Sequence, residues 1–211
     1  MKIAVIGATG PTGQLFVQQA LAKGHHVTAL VRSPEKLGLT DPKLTLVVGD
    51  VYQTEDVAKT VIGQDAVFIA LGTGKKASKS SIRADGTRQV VQVLAAAGEK
   101  PKLVVLSSLG VGESKKQYAF YWNGLLWFML RHAFRDHTDQ EAIVRASGLR
   151  WAILRPTFMN DKAGQGRPKA TPAPQSVKIR ASVPRADVAA YALRVIEQPD
   201  GLPQAVALTA S

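Results

Sequence analysis

Three glycines at intervals of three, Gly7, Gly10 and Gly13, stand between an unbroken apolar run, Ile3 to Ile6, and a helical pattern that starts at Pro11. The run is that of a strand buried on both faces. Leu15, Phe16, Ala20 and Leu21 then recur at helical spacing up to Gly24. A strand, a glycine-rich turn and a helix in that order make an anion site. Missing Cβ atoms let the backbone approach a pyrophosphate, and the N–H groups of the helix start face it. Pro11 suits the first helical turn, where no N–H is needed. Gly7, Thr9, Gly10, Pro11, Thr12 and Gly13 are therefore the expected phosphate-binding segment for a dinucleotide. An ordinary tight strand-to-helix turn is the bland alternative.

A chain of 211 residues, 45% of them hydrophobic, is enough for one α/β domain with a sizeable core, and residues 1–211 are expected to form it. There is no cysteine, which excludes disulfides, thiolate metal sites and cysteine nucleophiles; no metal is expected. Strand one starts too early to leave room for a targeting segment, and no apolar run reaches the ~20 residues of a membrane helix. A cytoplasmic protein is expected. The formal charge of +11 favours anionic partners. Its lysines and arginines form scattered clusters (Lys75, Lys76 and Lys79; Lys115 and Lys116; Arg167 and Lys169) with no nucleic-acid-binding signature. The charge reads as a funnel for small anions or as a solvated surface; no nucleic acid and no membrane span are expected, and the protein is expected to be a monomer.

The remaining segments alternate strand and helix, as in a mostly parallel, doubly wound, Rossmann-like sheet. His26 to Val31 is strand two and ends at Arg32, Ser33 and, a few residues on, Lys36. An acid at this strand end suits the 2′-OH of NAD; an arginine suits the 2′-phosphate of NADP. NADPH is therefore the expected cofactor, with a plain surface arginine as the alternative. Leu44 to Val48 is strand three, followed by Asp50 and Val51, placed to meet adenine; Asp50 could instead cap the helix from Thr54 to Ile62. Ala66 to Leu71 is strand four, closing on Leu71, Gly72 and Thr73. A helix from Ser81 to Ala97 turns Val90, Val91, Leu94 and Ala95 to the sheet. Lys102 to Leu106 is strand five, ending in Ser107 and Ser108, beside the nicotinamide ribose and the reacting centre, or mere loop chemistry.

Tyr118 to Arg131 is the most aromatic helical stretch and reads as core, as a wall for a planar substrate including Trp122, or as an oligomer contact. The helix continues through Asp139–Ala146 to a glycine stop at Gly148. Trp151 to Leu154 is strand six, ending in Arg155, Pro156, Thr157 and Phe158. Arg155 could anchor an anionic group or pair on the surface. Ala163 to Gln175 reads as a loop, Ser176 to Arg180 as a short strand, Arg185 to Ile196 as a helix and Ala205 to Leu208 as the last strand.

The GATGPTG turn, the arginine after strand two, VVGDV, DAVFIALGT and the Ser-Ser end of strand five resemble the short-chain dehydrogenase/reductase superfamily. They are most similar to its atypical branch, the NmrA-like and biliverdin reductase B group. The resemblance spans nearly the whole chain and is weakest from Glu113 to Phe134 and after Asn160. It implies NADPH-dependent reduction of flavins or bilins, with Ser108 as the active-site serine, Ser107 and Pro156 at the cofactor, and His137, Thr157 and Phe158 near the substrate. A second histidine of the group is Thr157 here. The Tyr-x-x-x-Lys pair of ordinary members is missing, since Tyr118 is followed four on by Trp122 and Tyr121 by Leu125. That argues against alcohol–ketone interconversion and for hydride delivery to a planar conjugated acceptor. Relatives that lost the tyrosine also imply the alternative, an NADP(H)-binding regulatory or assembly protein without turnover.

Overall fold

The computed structural model describes residues 1–74, 80–117, 125–172, 182–199, 202 and 204–210. Trp122, the 118–124 part of the aromatic stretch, the lysines at 75, 76 and 79, and the expected strand at 176–180 lie outside them.

Among the described residues, ten strands and five α-helices follow in order. They are β1 (Lys2–Ile6), α1 (Pro11–Ala22), β2 (His26–Val31), β3 (Leu44–Val48), α2 (Thr54–Val61), β4 (Ala66–Ile69), α3 (Ile82–Ala96) and β5 (Lys102–Leu106). After these come α4 (Leu125–Ala146), β6 (Arg150–Pro156), β7 (Met159–Asn160), β8 (Lys169–Pro172), β9 (Val183–Pro184), α5 (Arg185–Glu197) and β10 (Ala205–Thr209). Eight strands form one sheet in the order β3-β2-β1-β4-β5-β6-β10-β8, and β7 pairs with β9 beside it. Every pairing in the large sheet is parallel except β10 with β8.

The apolar run of β1 is explained by this order: Ile3, Ala4, Val5 and Ile6 are all fully buried. Because side chains alternate along a strand, Ile3 and Val5 join Phe16, Ala192 and Ile196 on the α1/α5 side, while Ala4 and Ile6 join Val57, Val90 and Val144 on the α2/α3/α4 side. The rings of Phe16 and Phe68 stack with centroids 4.3 Å apart on the first face. Helix α3 buries Val90, Val93 and Leu94, whereas Ala95 is exposed. The helical period puts Val93, three after Val90, on the inner stripe and turns Ala95 out. Lys169–Pro172, expected within a loop, is the antiparallel edge strand β8. Its flanking Gly and Pro residues mask a strand too short to show alternation. No described helix is long and apolar enough to cross a membrane.

Candidate functional site

Strand order turns between β1 and β4, and the crevice at such a reversal is where open parallel sheets receive ligands. The three glycines meet there for three different reasons. Gly7 has φ +93°, and a Cβ on it would lie 2.5 Å from the Ala70 carbonyl oxygen just beyond β4. Gly13, buried in the first turn of α1, has no room because a Cβ would overlap the Gly7 carbonyl oxygen. Gly10 differs. Its Cβ would find only Gly7 O at 3.3 Å and Ala70 O at 3.9 Å, so its open side is a backbone approach rather than a packing contact. The turn is closed by Gly10 N–H donating to Gly7 O (3.1 Å) and Gln14 N–H to Gly10 O (2.9 Å). Helix α1 has no capping side chain and no acid in its first turn, so its positive end is left for an external anion. This cradle fits a pyrophosphate. Thr9 is half-buried and Pro11 exposed, whereas Thr12 is buried with its hydroxyl on Met159 Sδ at 3.8 Å.

At the next strand end Arg32 is exposed and makes no ion pair among the described residues. Ser33 precedes a short 3-10 turn, Pro34–Lys36. The Lys36 carbonyl accepts from Gln14 Nε2 at 2.6 Å, which ties that turn to α1. Asp50 does not cap α2 with its side chain: its Oδ1 accepts from Tyr52 N–H at 3.1 Å, and its own N–H donates to Asp56 Oδ2 at 3.0 Å. Partial burial and then the carboxylates of Asp85, Asp50 and Asp136 raise the Tyr52 phenol pKa, against Arg32, so it stays protonated. Val51 and Leu71 reach the same place, since a Cβ on Gly86 of α3 would lie 2.9 Å from Val51 and 2.5 Å from Leu71. Gly86 was missed in sequence, although a glycine inside a helical pattern signals such a close approach.

Gly72, Thr73, Ser107, Ser108, Pro156, Thr157 and Phe158 stand at or just beyond the carboxyl ends of β4, β5 and β6. Gly72 has nothing within 4 Å of a Cβ. Ser107 is buried and its hydroxyl donates to Glu141 Oε1 at 2.7 Å. Ser108 is half-buried, with Oγ 3.2 Å from Leu109 O. Pro156 accepts from Leu109 N–H at 3.1 Å, which joins the ends of β5 and β6. Thr157 is turned toward β10, its hydroxyl 3.4 Å from Leu208 O. Phe158 is 52% exposed. His137 belongs to the seam between α3 and α4: Nδ1 is 3.3 Å from Gln140 Oε1, and Gln140 Nε2 donates to Thr87 Oγ1 at 3.1 Å. Burial, then the neighbouring Arg83 charge, lowers its pKa to about 3 against the Gln140 hydrogen bond. The ring is neutral at ordinary pH.

Arg155 is neither a surface pair nor an open anchor. It is 1% exposed and lies on Glu141, Nε to Oε1 at 2.9 Å and Nη2 to Oε2 at 2.6 Å, with Glu113 Oε2 3.0 Å from Nη2. Partial burial would raise the Glu113 carboxyl pKa, but the Arg155 hydrogen bond and charge outweigh it and hold the group at about 2. Asp136, also missed in sequence, accepts from Ala84 N–H (2.9 Å), Arg83 N–H (3.3 Å) and Arg83 Nη1 (3.0 Å), capping α3 from α4. A buried carboxylate cannot be told from a surface one by residue type alone.

Solved structures share this fold across the whole chain. ChuY, an anaerobilin reductase of Escherichia coli O157:H7, superposes with TM-score 0.82 at 23% identity, covering 99% of this chain and 97% of that one. A candidate NADH-flavin reductase of Streptococcus pneumoniae TIGR4 superposes with TM-score 0.78 at 21% identity over the full length of both. Among sequence relatives, the chloroplastic protein At2g34460 of Arabidopsis thaliana is 27% identical over 210 residues, 94% of this chain and 73% of the relative. Photosystem II assembly factor Ycf39 of Synechocystis is 32% identical over 120 residues, 55% of this chain and 36% of that protein. The family model described as NAD(P)H-binding matches residues 7–199, so the glycine turn and the sheet behind it belong to a member of the NAD(P)H-binding family.

Proposed function

We propose that this protein is an NADPH-dependent reductase of a planar, conjugated, anionic acceptor, a flavin or a linear tetrapyrrole. The observation that carries the reading is the open backbone at Gly10 beside an uncapped α1, with Arg32 exposed at the next strand end. The turn from Gly7 to Gly13 would hold the pyrophosphate. Arg32, with Ser33 and Lys36 on the same loop, would take the 2′-phosphate through charge-assisted hydrogen bonds. Asp50, Val51 and Leu71 would flank the adenine, and Gly72, Thr73, Pro156 and the backbone of Ser107 the nicotinamide half. Bound NADPH supplies the hydride; the chain supplies position and exclusion of water.

Ser108 would orient the acceptor or a water molecule. Its hydroxyl bonds a carbonyl and not a base, so it has no nucleophile's activation. His137, neutral at pH 7, has no proton to spare as an imidazolium acid, and the proton that completes reduction comes from solvent. Exposed Phe158 offers an aromatic face to a flat ring system, and the basic surface draws in a phosphate or propionates. The reductase names of two structural neighbours support this class of acceptor.

Purified protein should oxidise NADPH when given FMN or biliverdin. Tight NADPH binding with no oxidation by either, or by a quinone, refutes the reductase and leaves the second reading, a nucleotide-binding assembly protein, which the similarity to Ycf39 favours. For the cofactor, Arg32→Asp should raise the Kd for NADPH on the order of a hundredfold, the worth of about two charge-assisted hydrogen bonds. NADH should change by less than about threefold, since it lacks the phosphate that those bonds would hold. Equal losses for the two cofactors would remove the phosphate role.

A further inference from the structure

Arg155 is the largest fully buried side chain in the described structure. It sits at the carboxyl end of β6 on a face otherwise lined by Val105, Ile153 and Leu103. A buried ion pair is a poor way to gain stability, because well-packed apolar residues of similar volume commonly do as well. What this one does is geometric. A single guanidinium gathers Glu141 of α4 and Glu113 of the 3-10 turn at Gly112–Gln117. Through Glu141 Oε1 it reaches the Ser107 hydroxyl, 2.7 Å away at the end of β5. The carboxylate accepts only, so the one hydroxyl proton of Ser107 is committed inward. Successive side chains alternate, and a Ser107 held toward α4 sets the direction in which Ser108 leaves the strand. The same stretch is pinned by Leu109 N–H on Pro156 O (3.1 Å) and Gly110 N–H on Ser114 Oγ (2.9 Å).

We infer that Arg155 and Glu141 are positioning residues that act through Ser107 to hold Ser108 and the 107–112 turn in the orientation needed at the reacting centre. The inference rests on the reductase reading for what Ser108 does, but not for the clamp itself. Ser107 is then an internal anchor, and Ser108 the group that faces the crevice.

The test is a double variant, Arg155→Met with Glu141→Leu, which removes both charges of the pair, leaves Glu113 its Arg145 partner at 2.8 Å, and takes from the Ser107 hydroxyl its acceptor. The Kd for NADPH should stay close to that of the wild type, since the glycine turn is untouched, and the thermal midpoint should drop only modestly, through the one buried hydroxyl that loses its acceptor. Backbone hydrogen exchange over residues 107–112 should accelerate at least about tenfold, and kcat with the acceptor should fall by a similar factor at unchanged KM for NADPH. Adding Ser108→Ala to the double variant should then cost little more, because the two changes act on one unit. Unchanged exchange over 107–112 overturns the proposal, and so does an additive loss from Ser108→Ala. Should the double variant fail to fold, Ser107→Ala against Ser107→Thr reads the same link: Ala should loosen the turn and Thr, which keeps the hydroxyl, should restore it, whereas identical behaviour overturns the clamp. A wild type that binds NADPH but reduces nothing defeats the reductase reading alone, since the exchange measurement still decides the clamp.

Discussion

Gly10→Ala will leave the protein folded and strip it of cofactor affinity, while Gly13→Ala will do damage of the other kind. Gly10 has φ −75° and ψ 157°, a conformation open to alanine, and the added Cβ would meet Gly7 O at 3.3 Å and Ala70 O at an ordinary 3.9 Å. Reduced freedom of the unfolded chain offsets the weaker helix cap, and the net change in stability should stay within about 1 kcal/mol. The methyl group would stand where backbone must approach the pyrophosphate, so the Kd for NADPH should rise on the order of a hundredfold or more. At Gly13 the Cβ would overlap the Gly7 carbonyl, and forcing the helix away from β1 should cost about 1–3 kcal/mol. Gly7→Ala would combine that kind of overlap, 2.5 Å from Ala70 O, with a left-handed φ that adds about 1–2 kcal/mol. Urea unfolding and a fluorescence titration with NADPH separate the two effects. A Gly10→Ala protein that binds as the wild type does would show that nothing phosphorylated docks there.

The contrast shows which physics a sequence carries openly. The glycine spacing, the strand-helix alternation and the apolar runs are local patterns. Strands β2, β3 and β5 fall within the boundaries read from period and turn residues alone. Arg32 could be placed at a strand end because strand ends are punctuated. What stayed hidden depends on pairs distant in the chain. Arg155 looks like any arginine before a proline until Glu141, 14 residues earlier, and Glu113, 42 earlier, are brought beside it. Asp136 looks like a helix-surface acid until the start of α3 arrives 52 residues away. Strand β8 exists because β10 offers it an edge, not because Lys169–Pro172 has strand character of its own. Gly86 is legible only as a question, answered when Val51 and Leu71 are seen to converge on it. The first residues of the chain thus indicate the cofactor, whereas the chemistry at the carboxyl ends of β5 and β6 is written in contacts across the sheet.

The His137 seam between α3 and α4 gives the largest expected response to pH. The folded protein holds the imidazole pKa at about 3, and the unfolded chain holds it at the ordinary 6.5. Between those values the unfolded state binds the extra proton, so stability must fall as pH falls from 6.5 toward 3 and must be independent of this group above 6.5. The limiting slope is about 1.4 kcal/mol per pH unit. Measuring between pH 6.5 and 5 avoids the carboxylates, whose ordinary values lie lower; Glu113, held at about 2, loses its contribution only between about 4.5 and 2. His137→Asn keeps an N–H able to donate to Gln140 while removing the titration. Urea unfolding free energies of the two proteins should therefore converge by roughly 1–2 kcal/mol in total between pH 6.5 and 5, the slope steepening as the unfolded histidine becomes fully protonated, after subtraction cancels the other histidines. Parallel curves across that interval would mean that the buried ring is already protonated near neutrality beside Arg83, and His137 would then regain the charge that a proton donor to the acceptor requires.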